Sequence, residues 1–268
     1  MTGSREDRSH DVARVVQAIT GLPRPLLLVF DCDGVLAPLT DHADDSVLLA
    51  GVSDDLTRLS LVDDVTVAIL SGRSLEGLAQ FHFGDSIVVA GSYGGERRGA
   101  EIDALGSDEE RLLAELDSIA VEAVGAAGPG AWVERKPTSV VIHVREAEPA
   151  LGAAAIAAAR TRQARLHGHE CHEGSNVLEL MARPADKGRG LTALRSEFRP
   201  VATVYVGDDV PDEDAFAVLD VGDVSIKVGA GSTVATHRLP DAGAVADALR
   251  RLAAGLAAPS GDIRSEQR

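Results

Sequence analysis

The chain has 268 residues, which is long enough for one large domain with an insertion or for two small domains. Its net charge of −16 argues against a nucleic-acid partner, because no basic stripe is present to displace counterions from a phosphate backbone. No apolar run reaches the length of a membrane span, so we expect no membrane partner and a cytoplasmic location. Cys32 and Cys171 lie far apart and do not have the spacing of a metal site, so we expect free thiols.

The first buried strand is predicted at Leu26–Phe30, because five consecutive apolar residues are typical of a strand covered on both faces of a parallel sheet. Asp31 and Asp33 follow directly, and residues two apart on an extended chain point the same way. Asp31 is suited to attack phosphorus as a nucleophile, and Asp33 to protonate the leaving alcohol and later to take a proton from water. A polar turn after a strand is the alternative interpretation.

A second buried strand is predicted at Val65–Leu70, and it ends at Ser71, Gly72 and Arg73. A hydroxyl and a cation at the carboxyl end of a strand suit a phosphate oxygen, so Ser71 and Gly72 are predicted phosphate contacts. Ordinary turn chemistry explains the same three residues equally well. A third strand is predicted at 87–90.

Between about residues 104 and 182 the pattern changes to helix, two strands, helix and two strands. This order is that of a small α+β unit with its own sheet. We therefore predict a core domain made of residues 1–103 and 183–268, with an inserted cap domain at 104–182. An ordinary second domain without a role in an active site is the alternative. His143 lies in an apolar run within the insertion and is predicted to be a core histidine.

The core pattern resumes after the insertion. Lys187 precedes a predicted helix, where it is suited to neutralise phosphoryl oxygens, although a solvated surface lysine is the alternative. A fourth buried strand, predicted at 201–209, ends in Asp208 and Asp209. Asp208 is predicted to hold Mg²⁺ together with the Asp31 carboxylate and the main-chain carbonyl of Asp33.

Three further acids, Asp212, Glu213 and Asp214, begin the next predicted helix. Acidic residues favour a helix amino end through the helix dipole, and we expect at least two of these three to do only that. A fifth strand at 224–229 and a closing helix at 241–254 complete an α/β fold with a parallel sheet.

Four short sequences at strand or helix ends, DxDG, SGR, DKG and GDDxxDED, resemble in their order the motifs of the haloacid dehalogenase superfamily of aspartate-nucleophile phosphatases. Longer stretches resemble the trehalose-6-phosphate phosphatase family, namely DCDGVLAPL, AGSYGGE, ERKPTSVVIHVR and GDDVPDEDAF, within about residues 26–220. The resemblance implies a Rossmann-like core, an inserted α+β cap, and Mg²⁺ as cofactor. It also implies hydrolysis of a sugar phosphate, trehalose 6-phosphate, through an aspartyl phosphate.

The same resemblance implies a set of side chains that face the sugar. These are Glu134, Lys136, Arg145 and Glu179. Independently, Glu134 and Lys136 lie two apart on a predicted strand, where a carboxylate beside an ammonium can bridge sugar hydroxyls. A cross-strand ion pair on a wet sheet face is the alternative. The spacing in ELMARPADKG differs from the family pattern and leaves the role of Arg183 open.

Three other functions are compatible with parts of the sequence. A phosphatase of a trehalose-like pseudo-disaccharide phosphate, of the validoxylamine 7′-phosphate type, would carry the same motifs. A sugar-phosphate mutase of the same superfamily would retain the phosphoryl group instead of releasing it. A receiver-like signalling module phosphorylated on Asp31 is disfavoured by Asp33 and by the insertion. The sequence gives no indication of oligomeric state.

Overall fold

The computed structural model describes residues 5–40, 45–101, 103–166, 170–174 and 176–256. The chain divides into two units. Unit 1 comprises Met1–Arg98 and Asp186–Arg268, and unit 2 comprises Gly99–Ala185. The borders predicted from the sequence, at 104 and 182, fall inside unit 2 and close to its ends.

The elements are numbered along the chain. The helices are α1 (Arg5–Thr20), α2 (Val52–Ser60), α3 (Leu75–Ala79), α4 (Ser107–Ala127), α5 (Pro149–Gln163), α6 (Lys187–Phe198), α7 (Val210–Ala217) and α8 (Ala242–Leu256). The strands are β1 (Leu26–Phe30), β2 (Val65–Leu70), β3 (Val88–Gly91), β4 (Glu96–Arg97), β5 (Trp132–Arg135), β6 (Ser139–His143), β7 (Glu170–Gly174), β8 (Val177–Met181), β9 (Ala202–Gly207), β10 (Val224–Val228) and β11 (His237–Leu239).

Unit 1 is built on a seven-stranded sheet in the order β11-β10-β9-β1-β2-β3-β4, in which only the β3–β4 pair is antiparallel. Strand β1 lies in the middle, and its side chains pack alternately into two cores. Leu26, Leu28 and Phe30 belong to one core, and Leu27 and Val29 to the other. Burial on both faces explains why β1 is apolar at every position. The parallel strands bring their carboxyl ends to one edge of the sheet.

Unit 2 has an antiparallel sheet in the order β5-β6-β8-β7. One face packs with α4 and α5 around a separate core, to which β6 contributes Val140 and Ile142. Residues Ser139, Val141 and His143 alternate with them and lie on the opposite face, which we call the polar face. The prediction that His143 is a core histidine is therefore wrong, because the strand register turns its ring away from the helices.

Arg183 joins the two ends of unit 2. Its guanidinium donates to both carboxylate oxygens of Glu109, at 2.9 and 2.7 Å, and to the main-chain oxygens of Asp103 and Ala104, at 2.9 and 3.0 Å. Hydrogen bonding from Arg183 lowers the pKa of Glu109 to about 2. The role that the sequence left open is thus structural, since this arginine contacts backbone and carboxylate of its own unit.

The structure bears on the helices and on the two cysteines that the sequence analysis considers. No helix among the described residues is long and apolar enough to cross a membrane. Cys32 is buried in unit 1, Cys171 is exposed in unit 2, and both are free thiols, as the sequence predicts.

Candidate active site

The register of the parallel sheet brings two acidic residues from distant parts of the chain together. Phe30 of β1 pairs with Val206 of β9, and the amide of Asp31 donates to the Val206 carbonyl at 2.9 Å. Asp31 and Asp208 therefore leave neighbouring strands at the same edge. This edge is the usual ligand position in open parallel sheets.

A third carboxylate joins these two. Side-chain oxygens of Asp31, Asp208 and Asp212 all lie within 4.8 Å of one another, and Asp31 and Asp212 are buried. Asp212 lies in the first turn of α7, and the sequence suggested only a helix-dipole role for most of the acids there. The spacing of Asp212 from Asp208 could have indicated its position. A helix that begins between two residues four apart brings the second back close to the first, and so to the end of β9.

Lys187 is the first residue of α6 and is buried among these acids, so the alternative of a solvated surface lysine is wrong. Its Nζ lies 2.8 Å from Asp31 Oδ2 and 2.6 Å from Asp212 Oδ1. Burial by itself lowers the pKa of Lys187, but the charges of Asp31 and Asp212 hold that pKa above its ordinary value. The ammonium therefore stays protonated and is shared by two carboxylates.

The oxygens of Asp212 are already fully used as hydrogen-bond acceptors. Oδ1 accepts from Lys187 Nζ at 2.6 Å and from the Tyr205 hydroxyl at 2.7 Å, and Oδ2 accepts from the amides of Asp208 and Asp209, each at 2.9 Å. A carboxylate offers about four lone-pair sites, so this set occupies them. Asp212 thus holds Lys187 and the loop after β9, and Asp31 and Asp208 are the better cation ligands.

The charge of the cluster fits a divalent cation. Burial raises the pKa of Asp31 to about 8, with the charge of Asp212 adding to the effect and Lys187 opposing it. Burial, followed by the charge of Asp212, raises the pKa of Asp208 to about 7, although Lys227 also donates to the Asp208 main-chain oxygen. When ionised, the three carboxylates carry more negative charge than Lys187 and Lys227 neutralise, so Asp31 and Asp208 retain their protons more readily than an exposed aspartate does. Clustered carboxylate oxygens with surplus charge are the donors that hard divalent cations prefer.

Asp33, two residues after Asp31, has a different environment. Arg73 Nε donates to its Oδ2 at 2.6 Å, and Arg73 Nη2 donates to its Oδ1 at 2.7 Å. The Ser46 hydroxyl adds a 3.2 Å bond to Oδ1, and the Arg73 guanidinium lies 5.1 Å from the Phe81 ring centroid. The cation that the sequence suggested for a phosphate oxygen thus orients the second aspartate in the resting site.

Ser71 and Gly72 follow β2 at the same edge. The Ser71 hydroxyl is buried and accepts from the Arg73 amide at 3.2 Å, which leaves its own proton for donation to a ligand oxygen. A Cβ at Gly72 would approach the Tyr93 ring to 2.9 Å, so a side chain is excluded there. The role predicted for both residues, as phosphate contacts, stays a prediction.

In unit 2, three of the four residues predicted to face a sugar lie on or beside the polar face. Lys136 Nζ is 3.0 and 3.1 Å from the two oxygens of Glu179, and the Ser139 hydroxyl donates to Glu179 Oε1 at 2.6 Å. Glu134 and Glu179 both flank Val141 in the register, which puts them on one face. Arg145 follows β6 and is exposed. The Lys136–Glu179 ion pair is buried, unlike the wet surface pair considered from the sequence.

Known proteins of one family are similar to this chain. A family model described as Trehalose-phosphatase matches residues 29–240. The trehalose-6-phosphate phosphatase of Escherichia coli is 32% identical over 213 residues, covering 78% of this chain and 80% of that protein. The trehalose-phosphate phosphatase of Mycobacterium tuberculosis is 32% identical over 240 residues, and the alignment spans 84% of this chain and 60% of that longer protein.

Two solved structures have the same fold. The C-terminal domain of Candida albicans trehalose-6-phosphate phosphatase superimposes with a TM-score of 0.77 at 21% identity, covering 91% of this chain and 97% of that chain. A protein described as related to trehalose-6-phosphate phosphatase superimposes with a TM-score of 0.66 at 25% identity, covering 85% of this chain and 97% of that chain. The two-unit α/β architecture is therefore shared with these proteins.

Replacing Gly34 by alanine should disrupt the acidic cluster. Gly34 has a φ of +73°, and a Cβ there would lie 2.0 Å from Asp208 Oδ2. Gly229→Ala is a matched control, because Gly229 has a φ of +79° with nothing within 4 Å of its Cβ position. Chemical denaturation should show a loss of about 1 kcal/mol for the control and about 2–3 kcal/mol for Gly34→Ala, from left-handed backbone strain plus the clash. Equal losses would contradict the close packing of Gly34 against Asp208.

Proposed function

The chain belongs to the trehalose-phosphatase family and is a phosphatase of a phosphomonoester, and from that premise we propose that it hydrolyses trehalose 6-phosphate to trehalose and inorganic phosphate, with Mg²⁺ as cofactor. One observation carries the proposal, namely the gathering of Asp31, Asp208 and the Lys187 ammonium at one point of the sheet edge. This arrangement supplies a nucleophile, cation ligands and a fixed positive charge for a phosphoryl group.

The proposed cofactor site uses the carboxylates of Asp31 and Asp208 and the main-chain carbonyl of Asp33. When bound there, Mg²⁺ supplies positive charge that neutralises the phosphoryl oxygens and favours the ionised form of the acids. Asp212 supports the site through Lys187 and through the amides after β9.

In the first step Asp31 attacks phosphorus and forms an aspartyl phosphate, while the bond between phosphorus and the sugar oxygen breaks. Asp33, which is protonated at this stage, gives its proton to that leaving oxygen, and the carboxylate left behind is the form that Arg73 binds. Lys187 Nζ, the Ser71 hydroxyl and the Gly72 amide donate to the phosphoryl oxygens. Lys187 already lies 2.8 Å from the attacking carboxylate, so it is in place to act on both groups.

In the second step Asp33 takes a proton from water, the water oxygen attacks phosphorus, and the bond to Asp31 breaks to release inorganic phosphate. The carboxylate that acts as base is the one held by Arg73 and Ser46. Fixing both of its oxygens limits its rotation, which lowers the entropy cost of aligning it with water. We therefore assign Arg73 as the residue that positions Asp33.

The sugar is proposed to be recognised by unit 2 through residues of its polar face and through exposed Arg145. Glu134, Lys136 and Glu179 provide acceptors and donors for sugar hydroxyls. The buried Lys136–Glu179 pair is held at 3.0 and 3.1 Å, so its groups are ordered before a ligand arrives. Ordered polar groups lose little entropy on binding.

A substrate panel tests the proposal. Phosphate release from trehalose 6-phosphate with Mg²⁺ should exceed that from glucose 6-phosphate, sucrose 6-phosphate and validoxylamine 7′-phosphate in kcat/KM. Asp31→Asn should release no phosphate from any of them, because an amide oxygen is not a nucleophile at phosphorus. A higher kcat/KM for validoxylamine 7′-phosphate would mean that the substrate is the pseudo-disaccharide phosphate. Conversion of a substrate without release of inorganic phosphate would indicate a mutase.

Arg73→Gln should lower kcat about 10- to 100-fold while changing KM little, because it loosens a group that transfers protons in both steps. Arg250→Gln is a matched control, since Arg250 pairs with Asp247 on the exposed face of α8 at 3.0 Å. Steady-state kinetics on the best substrate measures both variants. A large rise in KM with kcat unchanged would mean that Arg73 binds substrate instead of positioning Asp33.

Mg²⁺ affinity should rise between pH 6 and pH 8. In the metal-free protein the pKa values of Asp31 and Asp208 are raised to about 8 and about 7, so both carboxyls are largely protonated at pH 6. A cation must displace those protons, and raising the pH removes them beforehand. Isothermal titration calorimetry in two buffers of different ionisation enthalpy should detect proton release at pH 7. Absence of released protons would contradict the assignment of both carboxylates as ligands.

Glu134→Gln should reduce kcat/KM for trehalose 6-phosphate about tenfold or more, as expected for loss of a charged hydrogen-bond acceptor. The effect on p-nitrophenyl phosphate, which has no sugar, should be much smaller. Arg135→Gln is the control on the same strand, because Arg135 points to the other face and pairs with Asp117 of α4 at 2.8 Å. Equal losses on both substrates in Glu134→Gln would contradict sugar recognition by this face.

A further inference from the structure

Trp132 is the single tryptophan of the chain, and it is not part of the hydrophobic core of unit 2. It begins β5 and pairs with His143 across the sheet, which places it on the polar face with Glu134. Its side chain is about half exposed, at 50%. Single exposed apolar side chains are common on protein surfaces, and Trp132 differs from them in the way that its ring is held.

The indole is held rigidly although it is exposed. Its ring stacks on the His143 imidazole with centroids 3.8 Å apart and an angle of 4° between the planes. His143 Nε2 in turn donates to Glu134 Oε2 at 3.0 Å. The three side chains therefore form one connected unit, in which a carboxylate fixes an imidazole and the imidazole fixes an indole.

Stacking on His143 accounts for only one face of the indole. Cross-strand aromatic pairs stabilise a sheet, so that contact has a structural use. About half of the side chain stays exposed to solvent. The exposed part of the indole offers a flat apolar surface with a negative π face. It lies on the same sheet face as the Glu134 carboxylate and in the same sheet as the Lys136–Glu179 pair.

A pyranose ring has the complementary chemistry. One face presents C–H groups that pack on an aromatic surface, and its rim presents hydroxyls that need hydrogen-bond acceptors. We propose that Trp132 is the stacking platform for a pyranose ring of the substrate, with Glu134 accepting from hydroxyls at the rim of that ring. This inference rests on the proposed function, because it assigns a specificity residue for a sugar phosphate.

Intrinsic fluorescence provides a direct test, since all tryptophan emission comes from Trp132. In the full chain with Mg²⁺, titration with trehalose should shift the emission saturably to shorter wavelength, because the sugar displaces water from the indole. The midpoint should equal the constant for inhibition of p-nitrophenyl phosphate hydrolysis by trehalose. Inhibition by trehalose without any change in emission would overturn the proposal.

Substitutions of Trp132 distinguish a ring that binds the sugar from a ring with a structural role alone. Trp132→Ala should raise KM for trehalose 6-phosphate about tenfold, while Trp132→Phe, which keeps an aromatic face, should raise it only about two- to threefold. In both variants, kcat for p-nitrophenyl phosphate should change much less than KM for trehalose 6-phosphate does. A structural role alone would instead lower the melting temperature and reduce turnover of both substrates equally, which would contradict the platform.

The same experiments distinguish failure of this inference from failure of the proposed function. If trehalose 6-phosphate is hydrolysed and trehalose inhibits, but the emission of Trp132 does not respond, the platform is wrong and the function stands. If another sugar phosphate is the better substrate and its free sugar shifts the emission, the substrate assignment is wrong and the platform stands.

Discussion

The buried ammonium of Lys187, shared between Asp31 and Asp212, is the interaction on which the rest of the active site depends. Removing one partner of a buried ion pair typically costs about 3–5 kcal/mol, because it leaves an uncompensated charge. The pair therefore fixes the start of α6 and the first turn of α7 against the end of β1. Through its remaining hydrogen bonds, Asp212 also orders the loop that carries Asp208. One ammonium thus connects the proposed nucleophile, the proposed cation ligands and the helices that carry them.

The parallel sheet supplies the second constraint, because it brings chemically useful residues from separate segments to one edge. Within that edge the two aspartates of the first loop are divided between different environments. Asp31 enters the desolvated acidic cluster, whereas Asp33 is drawn to the guanidinium of Arg73. This separation suits the two roles in the proposed mechanism, because a nucleophile needs positive charge beside the phosphoryl group and a proton carrier must avoid ligation through its side chain.

Unit 2 is organised in a different way, with one sheet face given to a hydrophobic core and the other to polar and aromatic groups. The buried Lys136–Glu179 pair and the Trp132–His143 stack both lie on or beside the polar face, and both are held by neighbouring side chains. A buried ion pair contributes little net stability compared with apolar residues of the same size, so stability alone does not account for the Lys136–Glu179 pair. Family membership identifies the chemistry, and these groups are the proposed source of sugar discrimination.

The sequence by itself determined the α/β class, the five core strands and the position of Asp31, Asp208 and Lys187, because buried parallel strands are uniformly apolar and end in polar residues. Strands β4 and β11 were missed, since two and three residues are too few to show a pattern. The sequence predicts that at least two of Asp212, Glu213 and Asp214 serve only the helix start, without indicating which, and it predicts His143 in the core. Periodicity reports which residues are buried, but only the tertiary structure decides what lies opposite each side chain, because register and helix placement depend on contacts between distant segments.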